Sequence, residues 1–304
     1  ELVRAAPAAI VTGRNIAGGG RTVQELHYFD GAWTEEPQKV MTPATQAVWM
    51  ATAVFDGTRV IRGMGPDVDR HCERCVNSAH ALGLEPPLDA KGIEALIWEG
   101  VDKFPADAEL FIRPMFYPER GFVMPEPEST VFALALLNRP LMEPTGITAM
   151  LSRFHRPALD MAPTNAKAAC LYPNAIRAMR EAQAAGFSTA IMMDGLGHVA
   201  EFATSNVFHV RDGMVHTPVP NGTFLNGITR QRVIRLLREA GVDVLERPIA
   251  YDELLDADEV FSTGNLDKVV PVTRLDDRNY QPGPLYQKAR DIYFDWAKTQ
   301  TRKV

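Results

Sequence analysis

Polar and apolar positions alternate with period two in several stretches of residues 26–137, and apolar positions recur every three to four residues in two others. The first pattern is typical of strands, the second of helices, and Asp-Gly pairs mark tight turns. These patterns predict a hairpin at 27–33, a strand–turn–strand at 54–60, helices at 67–82 and 88–104, and strands at 110–116 and 130–137. We therefore expect a small N-terminal α+β domain over residues 26–137.

Both periodicities break at residues 138–146, where Pro140, Pro144 and Gly146 lie close together. Such a cluster indicates a loop rather than a helix or strand. We place an interdomain linker at 138–146, a large C-terminal domain at 147–304 and a flexible leader at 1–25. The predicted strands of the C-terminal domain are 147–152, several short ones within 190–219, 242–249 and 258–262, and its predicted helices are 171–185, 228–240, 251–255 and 284–298.

Composition narrows the class of protein. The chain has 304 residues, of which 46% are hydrophobic and 23% charged, as in globular proteins. Its net charge of −6 gives no reason to expect a nucleic-acid partner, and no apolar run approaches the roughly 18 residues of a membrane span. No secretory signal is visible, and three cysteines suit a reducing compartment, so we expect a cytoplasmic protein.

Cys72 and Cys75 have the C-x-x-C spacing of redox and metal sites. They fall inside a predicted helix, and no second pair completes a zinc site. We interpret them as two small apolar residues on a helix and expect no bound metal.

One lysine stands out chemically. Lys167 lies among small neutral residues, with no charged residue between Asp160 and Arg177, and Tyr172 follows five positions later. A desolvated lysine with a lowered pKa is the form that Schiff-base chemistry needs. The segment alone favours a solvated loop lysine, so the functional interpretation depends on residues further along the chain.

Three later segments supply complementary chemistry. Glu201 lies in an otherwise neutral strand-like stretch, 34 residues after Lys167 (201 − 167). Gly227 opens a predicted helix, whose free N–H groups and positive dipole end suit a phosphate. Thr263 and Asn265 offer hydroxyl and amide donors in a second turn. Taken singly, a strand-end carboxylate and an ordinary capped helix explain the first two equally well.

Taken in order, these segments resemble the fold-type IV pyridoxal-phosphate enzymes, and most closely the branched-chain aminotransferases. The ordered pieces are a helix carrying Arg74, the lysine, E-x-x-x-x-N, G-I-T-R, and A-D-E-V-F followed by a T-G turn and V-x-P-V. The resemblance covers residues 26–298 and implies a two-domain, D-amino-acid aminotransferase-like α+β fold that binds pyridoxal 5'-phosphate. It also implies a homodimer in which pocket loops cross the interface.

The resemblance implies a role for each matching residue. Lys167 would form the Schiff base with the cofactor and later shuttle the proton between substrate and cofactor. Glu201 would sit against the pyridine nitrogen and keep it protonated, and Tyr172 would bond the phenolic oxygen. The residues implied to hold the phosphate or to support the site are Arg74, Asn206, Gly227, Ile228, Thr229, Thr263 and Asn265.

The substrate side departs from the branched-chain pattern. Met50 and Phe111 stand where that family carries tyrosines, one of which helps to hold the substrate carboxylate. Losing that hydroxyl would cost roughly 1–3 kcal/mol, so either another donor replaces it, with Arg113 or Arg120 as candidates, or the substrate differs. The expected substrate-pocket residues are Met50, Phe55, Arg59, Phe111, Arg113 and Leu266.

The favoured function is an aminotransferase that moves an amino group between a hydrophobic, branched-chain-like amino acid and a 2-oxo acid. An (R)-selective amine or D-amino-acid transaminase on the same scaffold is the alternative. A pyridoxal-phosphate lyase of the aminodeoxychorismate type shares the fold and the lysine, but the branched-chain match extends further. A non-catalytic binding module would not need a lysine–glutamate pair.

Overall fold

The computed structural model describes residues 23–302, so most of the predicted leader lies outside the described residues. Two sheets divide the chain between Asn138 and Ile147. Elements of the first part are β1 (Glu25–Phe29), β2 (Ala32–Thr34), α1 (Gln46–Met50), β3 (Val54–Phe55), β4 (Thr58–Ile61), α2 (Val68–Ala81), α3 (Ala90–Val101), β5 (Glu109–Pro118) and β6 (Thr130–Asn138). The first sheet has the order β2-β1-β6-β5-β3 with β4 also on β5, and all its pairs are antiparallel.

The second part forms a larger, mixed sheet. Its strands are β7 (Ile147–Leu151), β8 (Thr189–Met193), β9 (Val199–Phe202), β10 (Asn206–Arg211), β11 (Met214–Pro218), β12 (Val244–Arg247), β13 (Glu259–Gly264), β14 (Lys268–Leu275) and β15 (Arg278–Asn279). Its helices are α4 (Tyr172–Ala184), α5 (Ile228–Glu239), α6 (Tyr251–Leu255) and α7 (Pro284–Ala297). The order is β12-β11-β10-β13-β14-β7-β8-β9 with β15 on β14, and three pairs are parallel.

The predicted α+β content is confirmed, and so are most predicted elements. The Asp30-Gly31 turn has positive φ at both residues, as a tight hairpin between β1 and β2 requires. The strand–turn–strand prediction was only half right, because β3 and β4 pair with β5 rather than with each other. Strand β14 was missed, since Pro271 interrupts its apolar run and proline is rare inside sheets.

Each sheet carries its own hydrophobic core. Helices α2 and α3 cover the first sheet with buried residues such as Ile93 and Ile97, and α5 and α7 cover the second. The thiols of Cys72 and Cys75 lie fully buried in the first core, and burial raises the pKa of both, which fits their interpretation as apolar positions. Among residues 23–302, no helix is long and apolar enough to cross a membrane.

At Gly100, α3 packs closely against Trp33 of the first hairpin and Leu136 of β6. A Cβ there would lie 2.5 Å from Trp33 and 2.8 Å from Leu136. The Trp33 ring is held by an edge contact with Tyr28 at 5.1 Å and by a 2.8 Å bond from its Nε1 to Glu99. The ring therefore has little freedom to move away from an added methyl group.

We expect Gly100→Ala to destabilise the protein. Overpacking costs about 1–3 kcal/mol, which outweighs a helix-propensity gain of at most about 1 kcal/mol. Urea unfolding measures the difference. The matched control is Gly92→Ala in the same helix, where the nearest atom is the Asp89 carboxylate at 3.3 Å. Equal stability of the two variants would contradict this account of the packing.

Candidate active site

A cavity lined by residues of both parts of the chain lies between the two sheets. The structure brings all ten residues predicted for the cofactor side around this cavity: Arg74, Lys167, Tyr172, Glu201, Asn206, Gly227, Ile228, Thr229, Thr263 and Asn265. They come from α2, the segment before α4, β9, β10, the start of α5, and the end of β13 with the turn that follows it. Their roles toward a ligand remain predictions.

The backbone of Lys167 is bound to the first sheet. Its N–H donates to Ser78 Oγ at 3.0 Å, and its carbonyl accepts from the Phe55 N–H at 3.1 Å. The flanking Ala166 and Ala168 are buried in the first hydrophobic core. This packing explains why the residues around the lysine are small and neutral, since a larger or charged side chain would not fit there.

The side chain of Lys167 is half-buried and reaches the cavity. Its Nζ lies 2.9 Å from the Tyr172 hydroxyl. The same Nζ lies 5.3 Å from the centroid of the Phe55 ring and 5.6 Å from that of Tyr172, so two aromatic rings limit its orientation. The Lys167 amine therefore lies at the cavity beside one hydroxyl group and two aromatic rings.

Glu201 is buried on the other side of the cavity, in β9. Its Oε1 pairs with Arg156 Nε at 3.1 Å, and its Oε2 accepts from Asn206 Nδ2 at 3.2 Å. Burial raises the pKa of Glu201 to about 7 although Arg156 and Lys167 oppose the shift. A cation placed against this carboxylate would favour its ionised form.

A buried carboxylate holds Arg74 from behind. Asp56, which is fully buried, accepts from Arg74 Nε at 2.7 Å and from Nη2 at 2.8 Å. His71 Nδ1 lies 2.7 Å from the same carboxylate. Burial lowers the pKa of His71 to about 4 against the effect of Asp56, so a neutral His71 donates its Nδ1–H. Burial alone would raise the pKa of Asp56, but Arg74 and His71 hold it well below its usual range.

The N-terminus of α5 opens onto the cavity. Gly227 precedes its first turn, and a Cβ there would lie 2.1 Å from Asn206 Oδ1, so only glycine fits. Asn206 also donates to the Leu225 carbonyl at 3.0 Å. Arg230 fixes the start of the helix, with its Nη2 bonded to the Pro218 carbonyl at 2.7 Å and its other nitrogens to neighbouring polar groups. The free N–H groups of the first turn form a fixed anion-binding end.

Two buried polar atoms at the same end have no hydrogen-bond partner among the described residues. They are Thr263 Oγ1 and Asn265 Nδ2, and both residues line the cavity. The other amide atom, Asn265 Oδ1, accepts from the buried Lys268 Nζ at 2.7 Å. Buried donors are normally satisfied, so these two indicate an acceptor-rich ligand.

The six residues predicted for the substrate pocket do not line this cavity. Met50 is half-buried at the end of α1, and Leu266 is largely exposed. The ring of Phe111 lies between two guanidinium groups, at 5.9 Å from Arg59 and 5.5 Å from Arg113. The ring also lies against Gly57, where a Cβ would be 3.3 Å from Phe111 Cζ and 3.5 Å from Asn265 Nδ2.

Sequence reasoning missed three charged residues of the site. Arg156 follows β7 in a loop without periodicity, Lys268 opens the unpredicted β14, and Asp56 lies in the short connection between β3 and β4. An arginine beside a proline in a loop carries no signal of its own. The glutamate–arginine pair becomes visible only when β7, β8 and β9 are placed side by side.

Comparisons with known proteins agree with this geometry. The sequence model of the family described as amino-transferase class IV matches residues 53–275. A probable branched-chain-amino-acid aminotransferase from Aquifex aeolicus is 32% identical over 294 residues, which cover 92% of this chain and 94% of that protein.

Solved structures give the same result. An aminotransferase from Brucella abortus, bound to the co-factor PLP, is 52% identical with a TM-score of 0.89, covering 90% of this chain and 99% of that one. The branched-chain aminotransferase of Thermoproteus uzoniensis, solved with norvaline, is 29% identical with a TM-score of 0.83, covering 90% and 95%. The predicted fold type is thereby confirmed.

We expect Asp56→Asn to cost about 3–5 kcal/mol of unfolding free energy at pH 7, because it leaves the buried edge of Arg74 without its counter-charge. The folded-state pKa of Asp56 is depressed, so the stabilisation is complete above its ordinary value of 3.8 and is lost as pH falls below it. The difference in unfolding free energy between the wild-type protein and Asp56→Asn should therefore become smaller below about pH 4. Urea unfolding from pH 3 to pH 8 measures it.

The exposed neighbour Glu73 provides the control. Glu73→Gln should change the unfolding free energy by less than about 0.5 kcal/mol over the same pH range. An Asp56→Asn protein as stable as the control at pH 7 would show that Arg74 does not depend on Asp56.

Proposed function

The chain belongs to the class IV aminotransferases, and from this premise we propose that it moves an amino group between a hydrophobic, branched-chain-like amino acid and a 2-oxo acid. It is an aminotransferase that uses pyridoxal phosphate. The observation that carries the proposal is the placement of Lys167 and Glu201 on one cavity that ends in an array of unpartnered donors. When bound, the cofactor supplies an aldehyde that condenses with amines and a ring that accepts electrons from the substrate α-carbon.

The donor set at one end of the cavity fits a phosphate. Thr263 Oγ1 and Asn265 Nδ2 are buried and unpartnered, and the first turn of α5 adds backbone N–H groups at Ile228 and Thr229. Asp56 accepts one hydrogen each from Nε and Nη2 of Arg74, so both hydrogens of Nη1 and the second hydrogen of Nη2 are not used by that carboxylate. Arg74, which lines the cavity, would thus bind the anion through its terminal nitrogens, held in place by its pair with Asp56.

We propose Lys167 as the Schiff-base lysine and the catalytic residue. In its free-base form, its Nζ would take the proton from the substrate α-carbon and pass it to the cofactor. The Tyr172 hydroxyl, 2.9 Å away, orients this nitrogen and exchanges a hydrogen bond with it. Because the backbone of Lys167 is bonded on both sides, the amine moves by side-chain rotation alone.

Glu201 would hold the proton on the pyridine nitrogen. Burial raises the pKa of this carboxyl to about 7, so without a ligand it is partly protonated at neutral pH. A cationic ring nitrogen beside it favours the carboxylate, and the carboxylate in turn favours the protonated ring. Arg156 and Asn206, at 3.1 and 3.2 Å, fix its two oxygens and prevent it from turning away.

The substrate side is proposed to lie beside Phe111. Its ring lies against Gly57, which also lies beside Asn265 of the cavity wall, and would add apolar surface for a hydrophobic side chain. Arg113 is exposed and has no ion pair among residues 23–302, whereas Arg120 is bonded to Glu126 at 2.9 Å. Of the two candidates, Arg113 is therefore the one available to replace the missing hydroxyl donor. The same apolar surface favours, as a second candidate, an (R)-selective amine or D-amino-acid transaminase.

A homodimer and a cytoplasmic location complete the proposal. The exposed Trp49 and Phe122 rings pack together at 5.3 Å beside the exposed Val123 and Met124, and such an apolar patch is typical of an interface.

All three cysteines are free thiols, which suits a reducing compartment. We also propose the division into domains at 26–137 and 147–304. Sedimentation of the wild-type protein as a single chain would exclude the dimer.

We expect Lys167→Ala to abolish transamination and the visible absorbance of the cofactor–lysine adduct. Borohydride reduction of the wild-type holoenzyme, followed by digestion and mass spectrometry, should place the cofactor mass on the peptide that contains Lys167. Labelling of another lysine, or wild-type activity in the variant, would disprove the assignment. Lys103→Ala, an exposed lysine paired with Glu99, is the control and should retain both properties.

We expect Arg113→Gln to raise KM for L-leucine and for 2-oxoglutarate about tenfold or more, because a charged hydrogen bond to carboxylate contributes about 1.5–3 kcal/mol. The half-reaction with (R)-1-phenylethylamine, which has no carboxylate, should be unaffected. Steady-state and half-reaction kinetics measure both. Arg120→Gln is the matched control and should leave all three values unchanged.

Two outcomes would contradict this proposal. Equal losses with the amine and the amino acid would show that Arg113 does not bind a carboxylate. If the wild-type protein turned over D-alanine or (R)-1-phenylethylamine but not L-leucine, the result would favour the (R)-selective amine or D-amino-acid transaminase.

A further inference from the structure

Lys268 is a fully buried lysine outside the predicted site, with a side chain that is 1% exposed. It begins β14 with a φ of +65°, a conformation that an ordinary residue adopts only when its surroundings enforce it. Its only hydrogen-bond acceptor among the described residues is Asn265 Oδ1, 2.7 Å from Nζ. The side chain is thus aimed at one amide group on the wall of the cavity.

An ammonium group decides which way that amide turns. Lysine has three donors and no acceptor, so it can bond the oxygen of an amide but not its NH₂. With Oδ1 bonded to Lys268, Nδ2 of Asn265 must point the other way. It is this Nδ2 that is buried, lacks a partner and lies beside Gly57 at the cavity.

The positive charge of Lys268 is not neutralised by an ion pair among the described residues. Asp67 and Asp267 favour its charged form and Arg59 opposes it, but neither carboxylate forms an ion pair with Lys268 within 4.0 Å among residues 23–302. The Tyr293 ring lies 5.9 Å from Nζ. Burial lowers the pKa of Lys268 to about 7. A buried cation with an amide as its closest partner is costly, and an anion in the adjoining cavity would offset that cost.

We propose that Lys268 is a positioning residue that locks the Asn265 amide with its Nδ2 toward the phosphate of the cofactor. This inference rests on the proposed function, because it takes a phosphate to be the ligand at that end of the cavity. Lys268 itself does not touch the ligand. It removes the alternative amide orientation, in which Oδ1 would face and repel the phosphate.

The test compares affinities for pyridoxal phosphate and for pyridoxal, which lacks the phosphate. Equilibrium dialysis of the full chain gives both values of Kd, and their ratio isolates the phosphate contribution. Wild type should prefer pyridoxal phosphate strongly. Lys268→Met, which keeps the length of the side chain, should reduce this preference about tenfold, as expected for one charged hydrogen bond. Affinity for pyridoxal should not change.

Two further variants distinguish positioning from folding. Asn265→Asp keeps the bond to Lys268 but removes the N–H donor, so it should lose the same preference while its melting temperature stays at or above that of wild type. The double variant Lys268→Met with Asn265→Ala should lose no more than Asn265→Ala alone, because both changes act through one amide.

The outcomes separate the two levels of the proposal. The role of Lys268 would be overturned if Lys268→Met or Asn265→Asp kept the full preference for pyridoxal phosphate. It would also be overturned if the double variant lost more of this preference than Asn265→Ala alone. A wild-type protein without any preference for the phosphorylated cofactor would instead overturn the proposed function.

Discussion

The geometry of the site depends on the contact between the two sheets. The backbone of Lys167 is bonded to Ser78 of α2 and to Phe55 of β3 in the first part of the chain, whereas Glu201 and Thr263 belong to the second sheet. The distance between amine and carboxylate is therefore set by how the sheets meet. A second tie, the buried pair of Asp67 with Arg232, joins the start of α2 to α5 and so holds two anion-binding elements together. Loosening either tie would separate the two halves of the cavity.

The charged residues at the boundary between the two sheets form ion pairs, and an excess of positive charge remains there. Asp56 neutralises Arg74 from behind, and Arg156 does the same for Glu201. Lys268 has no carboxylate within ion-pair distance among residues 23–302, and α5 adds its positive end. A bound phosphate would complete this arrangement at one end, and a protonated ring nitrogen would complete it at Glu201. The proposed placement of the cofactor thus follows from the same ion pairs that hold Arg74 and Glu201 in position.

The order of motifs along the sequence was enough to predict ten residues that line one cavity, because most of them lie at or near the end of an element whose type the local pattern reveals. Arg156 and Lys268 could not be found in this way. Arg156 lies beside Glu201 only once the strands have paired. Lys268 belongs to β14, a central strand that the sequence does not reveal because Pro271 interrupts its pattern. The substrate residues were predicted by analogy to a pocket, yet they lie outside the cavity that the cofactor residues form.

That separation has a structural cause. Along β5, Leu110 and Ile112 point into the first core, so Phe111 and Arg113 necessarily occupy the opposite face of the sheet. The register places Arg59 beside Phe111 on that face. A phenylalanine there removes a directional hydroxyl but leaves its ring between two guanidinium groups. In the proposed site, recognition of a substrate carboxylate on this face would come from charge rather than from a neutral hydrogen bond. Such recognition tolerates more variation in the position of the carboxylate than a hydroxyl would. The cofactor half of the site is thus fixed by buried contacts, while the substrate half can change with substitutions on one exposed face of β5.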